Sequence, residues 1–170
     1  VSTGSLFSCA LVSGGTVKCW GYNLMGTLGD GTTTRRLAPV AVTGLTGVTA
    51  IASGQDFTCA LISDGTVKCW GVNGFGQLGQ PSSTSSSTAP LTVPGISGVT
   101  QIGAGGGHAC VIISSSDIKC WGLNDYGQLG ITASSAITGP TTVTGAIPAP
   151  PAAPVLSGVS SNPTTLTTAS

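Results

Sequence analysis

Charge is what this sequence has least of. Only 6% of its residues are charged, glutamate is absent, and five basic residues balance five acidic ones. There is no basic cluster to neutralise phosphates, which disfavours nucleic-acid binding, and the pair Arg35-Arg36 is too small to hold a membrane surface. Although the mean hydropathy is +0.40, no run approaches the ~18 consecutive apolar residues of a spanning helix. The composition therefore predicts neither a nucleic-acid partner nor membrane insertion.

The chain also lacks an initiator methionine, because position 1 is Val and the sole methionine is Met25. We therefore expect a processed form, consistent with a removed signal peptide, or an internal piece of a longer chain. Six cysteines occur as three pairs with nine residues between the members of each pair. An even cysteine count in a chain with so little charge indicates an oxidising compartment, so we expect an extracellular or cell-surface protein.

One stretch of the sequence occurs three times. Its second copy runs from Phe57 through Cys59, Cys69 and Trp70 to Gly79. The other two copies, offset by about 50 residues, keep both cysteines, the Trp-Gly pair, an Asn and the ending Gly-x-Leu-Gly (Cys9, Cys19, Trp20, Asn23 and Gly29; Cys110, Cys120, Trp121, Asn124 and Gly130). Self-similarity at a fixed period is the signature of a repeat architecture.

Each copy predicts a β-hairpin closed by a disulfide. The second copy has a three-residue loop, Ser63–Gly65, whose final Gly permits a positive φ. Centring the loop on Asp64 places Cys59 opposite Cys69 at a non-hydrogen-bonded position, where Cα atoms are about 4.5 Å apart. The same register predicts the bonds Cys9–Cys19, Cys59–Cys69 and Cys110–Cys120. Metal binding is the alternative, but zinc sites usually show closer Cys-x₂₋₄-Cys spacings.

Alternation assigns the side chains of this hairpin to two faces. One face carries the two cysteines with Leu61 and Val67, and the other carries Ala60, Ile62, Thr66, Lys68 and Trp70. Because both faces are largely apolar, we expect the hairpin to be sandwiched between neighbouring sheets. The third loop, Ser114–Ser116, has no glycine and should turn less ideally.

The pattern Cys-Ala-Leu-x-x-Asp-Gly-x-Val-x-x-Trp-Gly-x-Asn-x-x-Gly-Gln-Leu-Gly resembles the regulator-of-chromosome-condensation repeat, the blade unit of a seven-bladed β-propeller. The resemblance covers residues 1–145 and implies an all-β fold. It implies three propeller-type blades of about four short antiparallel strands each, in a partial or open propeller, with an extended C-terminal tail. The cysteine-paired form resembles repeats of secreted and cell-surface bacterial proteins. The eukaryotic founder acts on a small nuclear GTPase and nucleosomes through loops that this chain does not match.

The copies also predict the domain boundaries. Residues 1–8 align with 51–58 as the end of a preceding blade, and the three copies start near residues 9, 59 and 110. Polar connectors at 30–36, 80–88 and 131–135 lead to strands that begin at Pro39 and Pro90, and the second connector should be exposed and mobile. Short strands follow at Val48–Ile51 and Val99–Ile102. Residues 146–154 read as a proline-rich linker, and 155–170 as a Ser/Thr-rich tail or the start of another domain.

No constellation of catalytic residues is evident. His108, the sole histidine, aligns with Asp56 and is expected to be structural, because catalysis would need a nucleophile or carboxylate partner. Asp64 and Asp117 lie at hairpin turns, where Asp is favoured locally. The remaining carboxylates show no calcium-loop or paired spacing (Asp30, Asp56 and Asp125). The glycine run 103–107 is no phosphate loop, since it lacks the Gly-Lys-Ser/Thr ending. We therefore predict no enzyme, no cofactor and no metal.

The sequence favours a non-enzymatic extracellular module that presents loops to a protein or glycan, on a bacterial surface. Met25, Phe75 and Tyr126 occupy matching positions and are candidate rim contacts, although packing under the glycine turn is the alternative. A second hypothesis is a structural subunit of an extracellular filament or coat, which binds copies of itself through incomplete blade edges and the C-terminal tail. This second hypothesis arises because three blades cannot close a seven-bladed ring. The tracts Ser82–Thr88 and Thr164–Ser170 are candidates for O-linked sugars.

Overall fold

Extended backbone dominates the chain, as expected where Val, Ile and Thr alternate with small residues between glycine-rich turns. A computed structural model describes residues 1–81, 84–114, 117–132 and 135–144. In those residues the regular elements are twelve β-strands, arranged as three four-stranded antiparallel sheets. The described part of the chain contains no helix with the length and apolarity needed to cross a membrane. The predicted linker and tail, 146–170, lie outside the described residues.

Each sheet is a meander in which successive strands are neighbours. The first sheet contains β1 (Ser2–Thr3), β2 (Phe7–Val12), β3 (Thr16–Gly21) and β4 (Arg36–Ala41). The second contains β5 (Val48–Ser53), β6 (Phe57–Ile62), β7 (Val67–Val72) and β8 (Ser86–Thr92). The third contains β9 (Val99–Ala104), β10 (His108–Ile113), β11 (Ile118–Gly122) and β12 (Ile137–Thr142). We call these sheets blades one, two and three.

The blades begin earlier than the sequence copies do. Residues 1–8 were expected to close a preceding blade, but Ser2 pairs with Cys9 and Thr3 with Ser8. The first sheet is therefore already four-stranded, and β1 corresponds to β5 and β9 of the other two blades. The difference arises because the cysteine-bearing strand is the most recognisable part of each copy, whereas the strand that pairs with it comes before it.

The last strand of each blade also starts earlier than expected. The connectors were expected to run to Arg36 and Thr88, with strands beginning at the prolines, yet β4 begins at Arg36 and β8 at Ser86. Each proline instead lies inside a strand at the edge of its sheet, where a missing N–H leaves no ladder bond unmade. Ser82 and Ser83, part of the connector expected to be mobile, lie outside the described residues.

The predicted hairpin register is confirmed in the central strands of each blade. Cys9 pairs with Cys19, Cys59 with Cys69, and Cys110 with Cys120. All three pairs form disulfides with Cα atoms 4.1 Å apart, close to the spacing of a non-hydrogen-bonded pair. At the turn of the second hairpin, the Asp64 carboxylate accepts hydrogen bonds from the Thr66 amide and hydroxyl at 2.9 and 2.7 Å. Ser115 and Ser116 of the third turn lie outside the described residues.

The core lies between the blades, as the two apolar hairpin faces predict. Ala60 and Trp70 of blade two pack against the disulfide face of blade one. The disulfide face of blade two, with Leu61 and Val67, packs in turn against Trp121 of blade three. Blade two is therefore apolar on both faces because it is covered on both, which is the sandwiched arrangement that alternation predicts.

Two tryptophans stabilise these interfaces by packing and by hydrogen bonding. The Trp70 and Trp121 side chains are fully buried. The Trp70 indole N–H donates to the Thr27 carbonyl of blade one at 3.1 Å, and that of Trp121 donates to the Gln77 carbonyl of blade two at 2.9 Å. Trp20, the equivalent residue of blade one, is only half-buried, because no described residue covers that face.

Candidate functional site

In the antiparallel meander, the connections between strands lie at the two opposite ends of the strands, and these two ends of a blade differ in composition. The loops between the first and second strands, and between the third and fourth, lie at one end, which we call the loop rim (residues 4–6, 22–35 and their equivalents in blades two and three). The hairpin turns and the blade-to-blade connections lie at the opposite end, which we call the hairpin rim (13–15, 42–47 and their equivalents). This separation follows from strand direction alone, since each strand reverses the chain.

Backbone hydrogen bonds tie the loop rim of neighbouring blades together. The Ser5 N–H donates to the Gln55 carbonyl at 2.8 Å, and the Gln55 N–H donates to the Gly106 carbonyl at 3.0 Å. These three residues occupy equivalent positions between the first and second strands of the three blades. The rim is therefore a continuous surface rather than three independent sets of loops.

The longer loops of the rim are built around a buried asparagine. The side-chain oxygens of Asn23, Asn73 and Asn124 each accept a hydrogen bond at 2.9 Å from the amide of the leucine five residues later. Each asparagine is fully or almost fully buried. A buried amide group with its hydrogen bonds satisfied rigidifies the loop that it anchors. The repeated Asn and Leu are therefore framework residues that hold the rim in place.

The predicted rim residues project from these loops into solvent. The side chains of Met25, Phe75 and Tyr126 are 41%, 46% and 92% exposed. The side-chain oxygen of Gln77 accepts a hydrogen bond from the Phe75 backbone N–H at 2.8 Å, and that of Gln128 accepts one from the Tyr126 backbone N–H at 3.0 Å. These bonds fix the backbone under the two aromatic rings. Their role as contacts for a partner stays a prediction.

Two further exposed leucines belong to the same rim, and sequence reasoning missed both. Leu6 lies between β1 and β2, and Leu24 lies next to Met25; both are more than half exposed. Apart from Val1 and Leu37, every large exposed apolar side chain that the structure describes lies on the loop rim. A repeat-by-repeat comparison could have found Leu6, because blade two has Asp56 at that position.

A cleft opens in the loop rim between blades two and three. It has a volume of about 240 Å³. Val72, Phe75 and Leu123 supply its apolar lining, while Gln55, Asp56, Gln77, Gly106 and Gly107 complete it. Asp56 is half-buried. The main-chain carbonyl of Asp56 accepts a hydrogen bond from the Val72 N–H at 2.9 Å. We call this cavity the rim cleft.

Asp30 has a structural role in the loop between β3 and β4. Its carboxylate accepts hydrogen bonds from the side-chain Nδ2 of Asn23 at 3.1 Å and from the Thr32 hydroxyl at 2.8 Å, and it forms an ion pair with Arg36 at 2.8 Å. Burial alone would raise the pKa of Asp30, but the hydrogen bonds from Thr32 and Arg36 outweigh it and hold that pKa below its usual value. No motif or spacing in the sequence links these residues.

His108 does not occupy the position expected from the alignment. It pairs with Gly122 as Phe57 pairs with Gly71 and Phe7 with Gly21, so its counterparts are the two phenylalanines rather than Asp56. Burial lowers the pKa of His108. Within residues 1–81, 84–114, 117–132 and 135–144, no three His, Cys, Asp or Glu side chains are grouped as metal ligands.

Four-stranded meanders stacked face to face, with one tryptophan carried into each interface, define a repeat protein of the β-propeller type. The regulator of chromosome condensation (RCC1) repeat matches this sequence at residues 14–61 and 64–112, and a second profile of the same repeat matches residues 48–77 and 99–128. The chain belongs to the RCC1 repeat family.

Several known proteins are similar to the chain. The ultraviolet-B receptor UVR8 of Arabidopsis thaliana is 34% identical over 135 residues, which are 77% of this chain and 31% of the receptor. Human WBSCR16 shares the fold with a TM-score of 0.73 at 23% identity, over 82% of this chain and 36% of its own. Prp20p of Saccharomyces cerevisiae, described with its binding to Gsp1p and histones, has a TM-score of 0.71 at 26% identity, over 85% and 35%. The chain spans about a third of these relatives.

Proposed function

We propose that the chain is a non-enzymatic extracellular module, on a bacterial surface, that binds a partner protein through its loop rim. The observation that carries the proposal is the contrast between the two rims. Five large apolar side chains are exposed on the loop rim (Leu6, Leu24, Met25, Phe75 and Tyr126). The described residues of the hairpin rim expose none: Leu45 is buried, Ile96 is half-buried against the core, and the turn residues are mostly small or polar.

Exposed aromatic and methionine side chains on a rigid backbone are the usual anchors of a protein interface. Large apolar side chains that are exposed on one rim and absent from the opposite rim favour an interaction site on the rim that carries them. Family relatives support a protein partner, since yeast RCC1 (Prp20) has been crystallised with Kap60 bound. The disulfides are consistent with the proposed extracellular location. A glycan ligand and O-linked sugars on Ser82–Thr88 and Thr164–Ser170 remain untested predictions.

Matched rim variants test this function. Met25→Ser, Phe75→Ser and Tyr126→Ser are combined in one protein, and Ser13→Ala with Asp64→Asn alter the hairpin rim in a control. Immobilised wild type and variants are exposed to the extracellular protein fraction of the source cells. We expect a partner that wild type and control retain and the loop-rim variant loses. Equal retention by all three would refute binding through the loop rim.

A second candidate function, a structural subunit of a filament or coat, is supported by the two end faces of the stack. The outer face of blade three carries a hollow of about 310 Å³ whose lining includes Cys110, Ile112 and Ile118. Its counterparts on blades one and two receive Trp70 and Trp121. The half-buried Trp20 of a second copy fits this face by the same geometry, which makes a head-to-tail contact.

Sedimentation distinguishes this candidate from the first. If copies join head to tail, wild type should form concentration-dependent oligomers, and Trp20→Ala should reduce them to monomers. The loop-rim variant should leave the oligomers intact. A wild type that stays monomeric at the highest soluble concentration would rule out assembly through the end faces.

A further inference from the structure

We propose that residues 156–161, which lie outside the described part of the chain, bind the outer face of blade three within the same molecule. The model for this contact is the joining segment, by which we mean the end of a blade-to-blade connection together with the start of the next strand (45–50 and 96–101). The inference goes beyond the proposed function, because it concerns an end face of the stack and leaves the loop rim untouched.

The motif of the joining segment occurs a third time in the sequence. It reads Leu45-Thr-Gly-Val-Thr49 before blade two and Ile96-Ser-Gly-Val-Thr100 before blade three, and Leu156-Ser-Gly-Val-Ser160 repeats it after the last described strand. The match ends with the next residue, because Asn162 follows where the other two copies have Ile. A motif that recurs within one chain is expected to be used in the same way each time.

In the two described copies, the apolar residues of the motif pack on the disulfide face of the preceding blade. Leu45 and Val48 share a core cluster with the disulfide of blade one, and Ile96 and Val99 pack in the cluster that contains the disulfide of blade two. The third copy offers an apolar pair at the same two positions.

The glycine and the valine of the motif hold the segment against the hairpin turn of the preceding blade. Gly47 and Gly98 both have a φ of +65°, in the left-handed region that favours glycine. The N–H of the valine after each glycine donates to a carbonyl of that turn, at 2.9 Å in one junction and 3.0 Å in the other. Gly158 and Val159 keep both residue types.

The face that such a segment would cover is open in blade three. Ile112 and Ile118 form a cross-strand pair equivalent to Leu61 and Val67 of blade two. Leu61 and Val67 are buried in the cluster shared with blade three, whereas the two isoleucines are only half-buried and line the hollow of about 310 Å³. Leucine and valine side chains are therefore the complementary occupants, as they are at the first junction.

The chain is long enough for this contact. All three connections start alike, since the valine after the fourth strand donates its N–H to the third strand at 2.9, 2.9 and 3.0 Å. From Val42 to Val48 the chain advances six positions, and from Val143 to Val159 it advances sixteen. Because reach grows with chain length, the longer connection can span any gap that the shorter one spans, and lengthening a surface loop adds only a small entropic cost.

The test compares two variants of the full chain that carry the same number of added charges. Leu156→Asp combined with Val159→Asp places carboxylates in the proposed contact, and we call it the contact variant. Val155→Asp combined with Leu166→Asp is the matched control. Val155 aligns with a glycine that is exposed in both described copies, and Leu166 lies outside the motif.

The readout is the exposure of the two isoleucines, measured by the relaxation enhancement of their ¹³C-labelled methyl groups in the presence of a soluble gadolinium chelate. We expect little enhancement at Ile112 and Ile118 in wild type and control, and severalfold more in the contact variant. Wild type should also show methyl cross-peaks between Ile118 and Val159. Gly158→Ala should favour the free segment about tenfold, because alanine rarely adopts a positive φ.

Equal enhancement in wild type and the contact variant would overturn the inference, and so would protection that survives in the contact variant. An equimolar mixture of chains labelled only at isoleucine and chains labelled only at valine distinguishes binding within one chain from binding to a second copy. A cross-peak between Ile118 and Val159 in that mixture can arise only between two molecules, and it would overturn the inference in favour of contact between copies. None of these outcomes bears on binding through the loop rim.

Discussion

The three equivalent tryptophans provide an internal test of where the stability of the molecule lies. Trp70 is fully buried between blades one and two and donates to the Thr27 carbonyl at 3.1 Å. Trp20 occupies the same position in blade one but is only half-buried. If the core lies between the blades, truncating Trp70 should be far more damaging than the same truncation of Trp20.

The expected magnitudes follow from burial and hydrogen bonding. Truncating a buried Trp to Ala costs about 3–5 kcal/mol, and part of that cost is the Thr27 carbonyl, which loses its donor. We expect Trp70→Ala to destabilise the fold by about 4 kcal/mol and Trp20→Ala by about 1 kcal/mol. At about 2–4 °C per kcal/mol for a chain of this size, Trp70→Ala should lower Tm by roughly 8–16 °C.

Urea unfolding followed by far-ultraviolet circular dichroism, with the disulfides intact, measures both variants without relying on tryptophan fluorescence. If Trp70→Ala does not fold, Trp70→Phe retains most of the packing and loses the hydrogen bond, with an expected cost of about 2 kcal/mol. Equal costs at Trp20 and Trp70 would show that the blades fold independently and that the interfaces contribute little. That result would refute the reasoning.

Three further predictions concern single features of the framework. Replacing Cys59 and Cys69 with Ala should cost about 2–3 kcal/mol, as expected for opening a loop of about ten residues, and urea midpoints should show it. Asp30→Ala should cost about 2 kcal/mol; because the pKa of Asp30 is lowered, wild type should lose this advantage as pH falls below about 4. The pKa of His108 is also lowered, so wild-type stability should fall as pH drops below about 6.5. His108→Phe should remove that slope, and an unchanged pH profile would contradict the assignment.

Much of the fold was accessible from the sequence because local constraints determine it. Two cysteines separated by nine residues around a turn fix the register of a hairpin, and the period of two then fixes which side chains share a face. The interfaces follow from the two apolar faces of the second copy. The structure was needed to show which residues meet across an interface, such as Trp70 and Thr27.

The sequence-based predictions that were wrong concern segments in which apolar and polar side chains do not alternate clearly. His108 was compared with Asp56 because the preceding glycines offer no pattern for the alignment, although counting back two residues from Cys110 aligns it with Phe57. The start of β8 at Ser86 was missed because an edge strand is half-exposed and tolerates polar residues and proline. The rim cleft was invisible because its walls come from two blades, and no spacing within one copy relates Asp56 to Leu123.

The residues that the three copies share do not identify a binding partner, because they maintain the fold, whereas the loop rim carries residues that differ among the copies. The residues that recur in all three copies include the cysteines, the tryptophan, the asparagine and the turn glycines. The structure places the asparagines in loop anchors, and it places the cysteines and tryptophans in interfaces wherever a neighbouring blade covers them. Residues that differ among the copies lie between these anchors on the loop rim, where Leu6, Asp56 and Gly107 are equivalent. A substitution there changes the surface without disturbing the core. Specificity should therefore depend on the positions at which the repeats disagree.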